Sequence, residues 1–65
     1  MRERVLFYLR SLPEGETVTA KEMVDHLRRN RLPDYPYSRC LKDLRVLEES
    51  GLARSVGWPQ RWCAR

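Results

Sequence analysis

Arg39 and Lys42 stand three residues apart, and Arg45 follows three further on, in a stretch whose leucines recur at helical spacing. On a helix, side chains three apart are neighbours. A guanidinium or ammonium group there can donate to guanine O6 and N7 or to phosphate oxygens. With Leu44 as the centre of the buried face, the opposite face holds Tyr35, Ser38, Arg39, Lys42, Val46 and Glu49, with Arg45 at its margin. Ser38 and Tyr35 then add hydroxyls within phosphate reach. The plainer alternative is that these cations solvate a helix exterior, balanced by Asp43, Glu48 and Glu49.

Two further groups have the same chemistry. Arg28, Arg29 and Arg31 cluster at the end of the preceding apolar-periodic segment. They suit a clamp on a phosphate backbone, and equally the favourable charge at a helix carboxyl end. Near the C-terminus, Arg54, Trp58, Gln60 and Arg61 surround a glycine- and proline-containing turn. Arginine there suits a minor groove or a phosphate strand. Trp58, beside Pro59 at the turn, is hard to bury; it can stack on a sugar or base, or anchor a protein partner. Trp62 reads as a core residue, although an undetermined strand register leaves the two tryptophan roles exchangeable.

Other chemistries lack their residues. His26 has no nucleophile at readable spacing, no glycine-rich phosphate loop is present, and Ser38 and Ser50 sit in no catalytic motif. Asp34, Asp43 and Glu48 form no recognisable acid pair. Cys40 and Cys63 lack metal-ligand spacing and read as reduced packing residues. No enzyme activity, metal, cofactor or small-molecule ligand is expected. The 65 residues carry 13 Lys plus Arg against 9 Asp plus Glu, for a net charge of +4. Arginine supplies 11 of those 13 cations, which favours planar, forked recognition of phosphate and guanine. No apolar run approaches the ~20 residues that cross a bilayer, and the N-terminal stretch is too short for a signal peptide, so a cytoplasmic location with no membrane partner is expected.

The elements that would position these groups follow from periodicity. A first helix is expected from Arg2 to about Leu12, with Val5, Leu6, Leu9 and Leu12 on one face, widened by Phe7 and Tyr8. Pro13-Glu14-Gly15-Glu16 ends it. Glu16 to Thr19 is β-branched and supports a strand of two or three residues. Thr19-Ala20-Lys21-Glu22 forms a capping box that opens a second helix on Ala20, Met23, Val24 and Leu27, fading near Arg29 or Asn30. After a loop carrying Pro33 and Pro36, a third helix begins around Tyr35 to Ser38. It buries Cys40, Leu41, Leu44 and Leu47, with Tyr37 on the same side, and ends near Ser50 at Gly51. Leu52 to Val56 and Arg61 to Arg65 then read as two short strands. The whole is expected to be one α+β domain spanning residues 1–65.

That order, with Leu44, Leu47, Glu48, Gly51 and Leu52 in an L-x-x-L-E-x-x-G-L phrase, resembles the winged helix-turn-helix superfamily. The resemblance implies three helices with a C-terminal β-hairpin wing and a short strand between helices one and two. Thr19 to Leu27 looks like the scaffold helix, and Gly57 to Trp62 like the wing tip and returning strand. The connection between helices two and three is longer than in MarR-type regulators and more like the PadR type, without the extra PadR dimerisation helix. Gly57-Trp58-Pro59-Gln60-Arg61-Trp62 is also similar to the G-x-P-P-x-W wing of Zα domains. Leu41 and Arg45 stand where those domains carry Asn and Tyr. The implied function is double-stranded DNA binding by a small transcriptional regulator, with helix three in the major groove and the wing on backbone or minor groove. So few contacts favour a homodimer on a two-fold site or a partner on adjacent DNA. The alternative is a protein-interaction module, of the economical kind found among phage and mobile-element proteins, that docks on a host protein or larger complex through Trp58 and the helix-three face.

Overall fold

Thr19 opens its helix through a pair of reciprocal hydrogen bonds. The Glu22 amide donates to Thr19 Oγ1 at 3.1 Å, and the Thr19 amide donates to Glu22 Oε1 at 2.9 Å. Two of the amides that a helix start leaves without partners are thereby satisfied. The Thr19 amide, with the Arg61 guanidinium close by, holds the Glu22 carboxyl below its ordinary value of 4.5. Its contribution to stability is therefore present above that value and lost as pH falls. Thr19→Ala is expected to destabilise the domain by about 1 kcal/mol, read as a lower midpoint of urea unfolding.

In the computed structural model, which describes residues 2–30 and 32–65, three helices precede a hairpin: α1 (Arg2–Ser11), α2 (Ala20–Arg29), α3 (Tyr37–Glu49), β1 (Ala53–Val56) and β2 (Arg61–Ala64). α3 ends where Gly51, at φ 77°, lets the chain reverse. The Leu52 amide reaches back to Leu47 O at 2.9 Å and the Gly51 amide to Glu48 O at 3.0 Å. This is the double closure that a left-handed cap residue permits. β1 and β2 pair antiparallel, from Ala53 opposite Ala64 to Val56 opposite Arg61.

The expected strand between α1 and α2 shrinks to one residue. Val18 and Trp62 exchange both backbone hydrogen bonds, at 3.0 and 2.7 Å, as an isolated antiparallel bridge. The turn closed by the Glu16 amide on Pro13 O consumes one end of the segment, and Thr19 is already the cap of α2.

Val5 and Leu9 of α1, Met23, Val24 and Leu27 of α2, and Cys40, Leu44 and Leu47 of α3 form the core, together with Val18, Ala53 and Trp62. Trp62 is 2% exposed and closes the hairpin onto the helices. Burial pushes the Cys40 thiol up to about 11, so it stays protonated and donates to Ala20 O at 3.8 Å. Two expected core residues lie outside. Phe7 is exposed because it falls on the far side of α1 from Val5 and Leu9. Tyr37 is exposed although it shares a face with Leu44: helical side chains tilt toward the N-terminus, so one in the first turn projects past the body. Among the described residues, no helix is long and apolar enough to cross a membrane.

Candidate nucleic-acid interface

α3 buries Cys40, Asp43, Leu44 and Leu47 and leaves Ser38, Arg39, Lys42, Arg45 and Glu49 exposed on its other side, with Val46 half-buried. The core thus fixes which way the cations point. Among the described residues Lys42 and Arg45 have no ion-pair or hydrogen-bond partner, so their forks and ammonium are available to a ligand. Arg39 is held from below: its Nε lies 3.6 Å from Asp43 Oδ1, with the arginine side chain 56% exposed and the carboxylate 5%. That contact steers the guanidinium along the helix while leaving its outer edge open.

Tyr35 corrects the sequence expectation. It lies before α3, because Pro36 disfavours helical geometry in the residue ahead of it. Its ring is 4% exposed, and its hydroxyl donates to Asp43 Oδ2 at 2.7 Å. Tyr35 therefore reaches no outer face. Asp43, expected to be a surface counter-charge, is the buried acceptor that joins Tyr35 to Arg39. Its place in the pattern Cys40, Asp43, Leu44, Leu47 is the signal that marks it as inward.

Burial, and then the bond to Asp43, raise the Tyr35 phenol well above its ordinary 10.0. The unfolded chain therefore ionises this group first as pH rises. Its stabilising effect is complete below the ordinary value and is lost above it. In urea unfolding compared at about pH 8 and about pH 11, wild type is expected to lose more stability than Tyr35→Phe. At neutral pH that variant itself should be about 2 kcal/mol less stable, since it leaves a buried carboxylate short of a donor.

Of the clamp residues, Arg28 donates from Nε to Tyr35 O at 2.8 Å, which fixes its guanidinium beside the entry to α3. Arg29 is exposed and bonds to Asp25 O at 3.3 Å. Arg31 lies outside the described residues. In the hairpin, Trp58 is 90% exposed at the turn and Gln60 is exposed beside it, which settles the tryptophan roles that the sequence left exchangeable. Arg54 is exposed, with Nε 3.3 Å from Cys63 Sγ. Ser55 donates to Glu48 Oε2 at 2.8 Å and ties β1 to the C-terminal half of α3.

Arg61, expected on the wing, also has partners within the fold. Its Nε donates to Thr17 Oγ1 and its Nη2 to Thr17 O, both at 2.8 Å, and Nη2 pairs with Glu22 Oε1 at 3.2 Å. Nε and Nη2 are thus used within the fold, bracing β2 against the segment that leads into α2, while the side chain stays 43% exposed. The side chains brought together at the surface are thus Ser38, Arg39, Lys42 and Arg45 on α3, with Arg28 at its entry. Comparison with protein-family models, curated proteins and solved structures gives no match for this chain.

Proposed function

We propose that this domain is a winged helix-turn-helix that binds double-stranded DNA, with α3 entering the major groove and the hairpin acting as the wing. The observation that carries this reading is the outer face of α3. Arg39, Lys42 and Arg45 follow one another at three-residue steps, the first two opposite the buried leucines and Arg45 at the margin of that face, and among the described residues no acidic side chain pairs with Lys42 or Arg45. A 13-residue helix is about 20 Å long, enough to lie along several base pairs of the groove. On this reading Arg28 meets a flanking phosphate, and Arg54, Gln60 and Trp58 meet the backbone or minor groove. A small transcriptional regulator is the role that fits such a module.

Titration of a labelled duplex tests this reading. With about four or five phosphate contacts, log affinity should fall against log salt with a slope of about −4. Affinity that ignores salt, or no duplex binding by the folded chain, contradicts it.

One observation favours a second reading, a protein-interaction module. Trp58 presents nearly its whole indole at a turn, and exposed aromatic residues of this kind anchor protein interfaces. On that reading Trp58→Ala abolishes the protein complex and leaves DNA affinity nearly unchanged. On the DNA reading the same variant weakens duplex binding.

A further inference from the structure

Among the described residues, Asp43 is the one charged side chain that the core takes in. Its companions on the buried face of α3, Cys40, Leu44 and Leu47, are apolar, and an apolar side chain at 43 would avoid the cost of desolvating a carboxylate. The pair with Arg39 does not offset that cost. The two groups lie 3.6 Å apart and the arginine side chain is 56% exposed. A base one turn ahead of its acid is also the weaker of the two orders on a helix.

The carboxylate is, however, firmly placed. Oδ2 accepts from the Tyr35 hydroxyl at 2.7 Å, and Tyr35 O accepts from Arg28 Nε at 2.8 Å, so the acid on α3 is braced against the last turn of α2. Oδ1 is the oxygen nearest Arg39. Asp43 lines a small cleft of about 240 Å³ with Arg39, Lys42 and Val46, on the side of α3 that carries the cations. Lys42 lines the same cleft without pairing to the acid, so Arg39 is the one cation of this face with a charged anchor among the described residues. The anchor holds Nε, and the two terminal nitrogens of Arg39 make no hydrogen bond among those residues. A planar fork meets both acceptors of a guanine edge best when its plane is set beforehand, whereas phosphate accepts a cation from many directions.

We propose that Asp43, braced by Tyr35, is a positioning residue for sequence recognition. It orients Arg39 so that the free end of the fork reads guanine O6 and N7, and the unanchored Lys42 and Arg45 contact phosphate. This role rests on the reading of α3 as a helix that enters the major groove.

The probe is a pool of duplexes randomised over about six base pairs, the length that a ~20 Å helix covers at ~3.4 Å per pair. Sequencing of the bound fraction should show wild type favouring guanine at one position by about 10-fold or more. Asp43→Asn, folded by circular dichroism, should cut that preference to about 3-fold or less, while affinity for the unselected pool holds or rises because a negative charge is gone. Arg39→Lys keeps the charge without the fork at an exposed site, and it should lose the same preference. The double variant should match either single one, since the carboxylate acts through Arg39 alone. A purely structural Asp43 would instead weaken binding to every duplex alike and leave the preference intact. In wild type, side-chain ¹⁵Nε relaxation should show Arg39 more ordered than Arg45, and equal mobility would overturn the role even if Asp43→Asn does not fold. Either single variant keeping the guanine preference, or a wild type that binds duplex without one, overturns the role of Asp43 and leaves duplex binding standing. A wild type that binds no duplex overturns both.

Discussion

Trp62→Ala is expected to leave much of the chain unfolded at room temperature, whereas Trp58→Ala is expected to leave its stability within about 0.5 kcal/mol of wild type. Trp62 is 2% exposed and is the largest side chain in the core. Truncating a buried aromatic residue to alanine costs about 3–5 kcal/mol, through lost transfer energy and the cavity left behind. A chain of 65 residues has a total stability of roughly 3–10 kcal/mol at ordinary values per residue, so one such loss removes a large part of it. The two backbone bonds that join residue 62 to Val18 survive the substitution, and they do not replace the indole wedged between the hairpin and the helices. Trp58 is 90% exposed and has no such packing to lose. Urea unfolding followed by circular dichroism separates the two cases. Equal effects would mean that the hairpin is packed in a different register.

The second large effect concerns the ligand. Neutralising Arg39 and Lys42 together, as R39Q/K42Q, should weaken duplex binding about 30-fold or more and make the salt slope shallower by about 2. The magnitude follows from losing one base or phosphate contact from each side chain, at about 1–3 kcal/mol for a good base contact and less for a phosphate. The fold should tolerate the change. Arg39 is more than half exposed, its contact with Asp43 is long at 3.6 Å, and Tyr35 still donates to that carboxylate at 2.7 Å. An exposed pair of this kind contributes about 0–1 kcal/mol. Intact unfolding with lost binding assigns the two cations to the interface. Unchanged binding would make them a solvated helix exterior, the alternative that their sequence also allows.

Much of this architecture is legible in the amino-acid sequence. The Thr19/Glu22 box, the glycine that ends α3 and the leucine face that orients it are local signals, and each fixes its element with little help from the rest of the fold. The hairpin was legible from its turn residues, and the three-helix α+β order followed. The missed features depend on contacts distant in sequence. Arg61 reads as a free cation until Thr17, 44 residues away, is seen to accept from its Nε and Nη2. Tyr35 reads as a helix residue until Pro36 is taken as the boundary and Asp43 as its inward partner. Phe7 reads as part of an apolar stripe because five apolar residues, Val5 to Leu9, run together there, and run length carries no direction. Of the candidate site, the α3 face keeps Ser38, Arg39, Lys42 and Arg45 exposed, whereas Tyr35 is buried and Arg61 has partners within the fold.

The most direct test of the central claim is to map amide and indole chemical shifts of ¹⁵N-labelled protein as a short duplex is added at low salt. Perturbations are expected to concentrate on Ser38, Arg39, Lys42 and Arg45, with the Trp58 indole moving and the Trp62 indole still. Shifts confined to α1 and α2, or a spectrum that the duplex leaves unchanged, would contradict it.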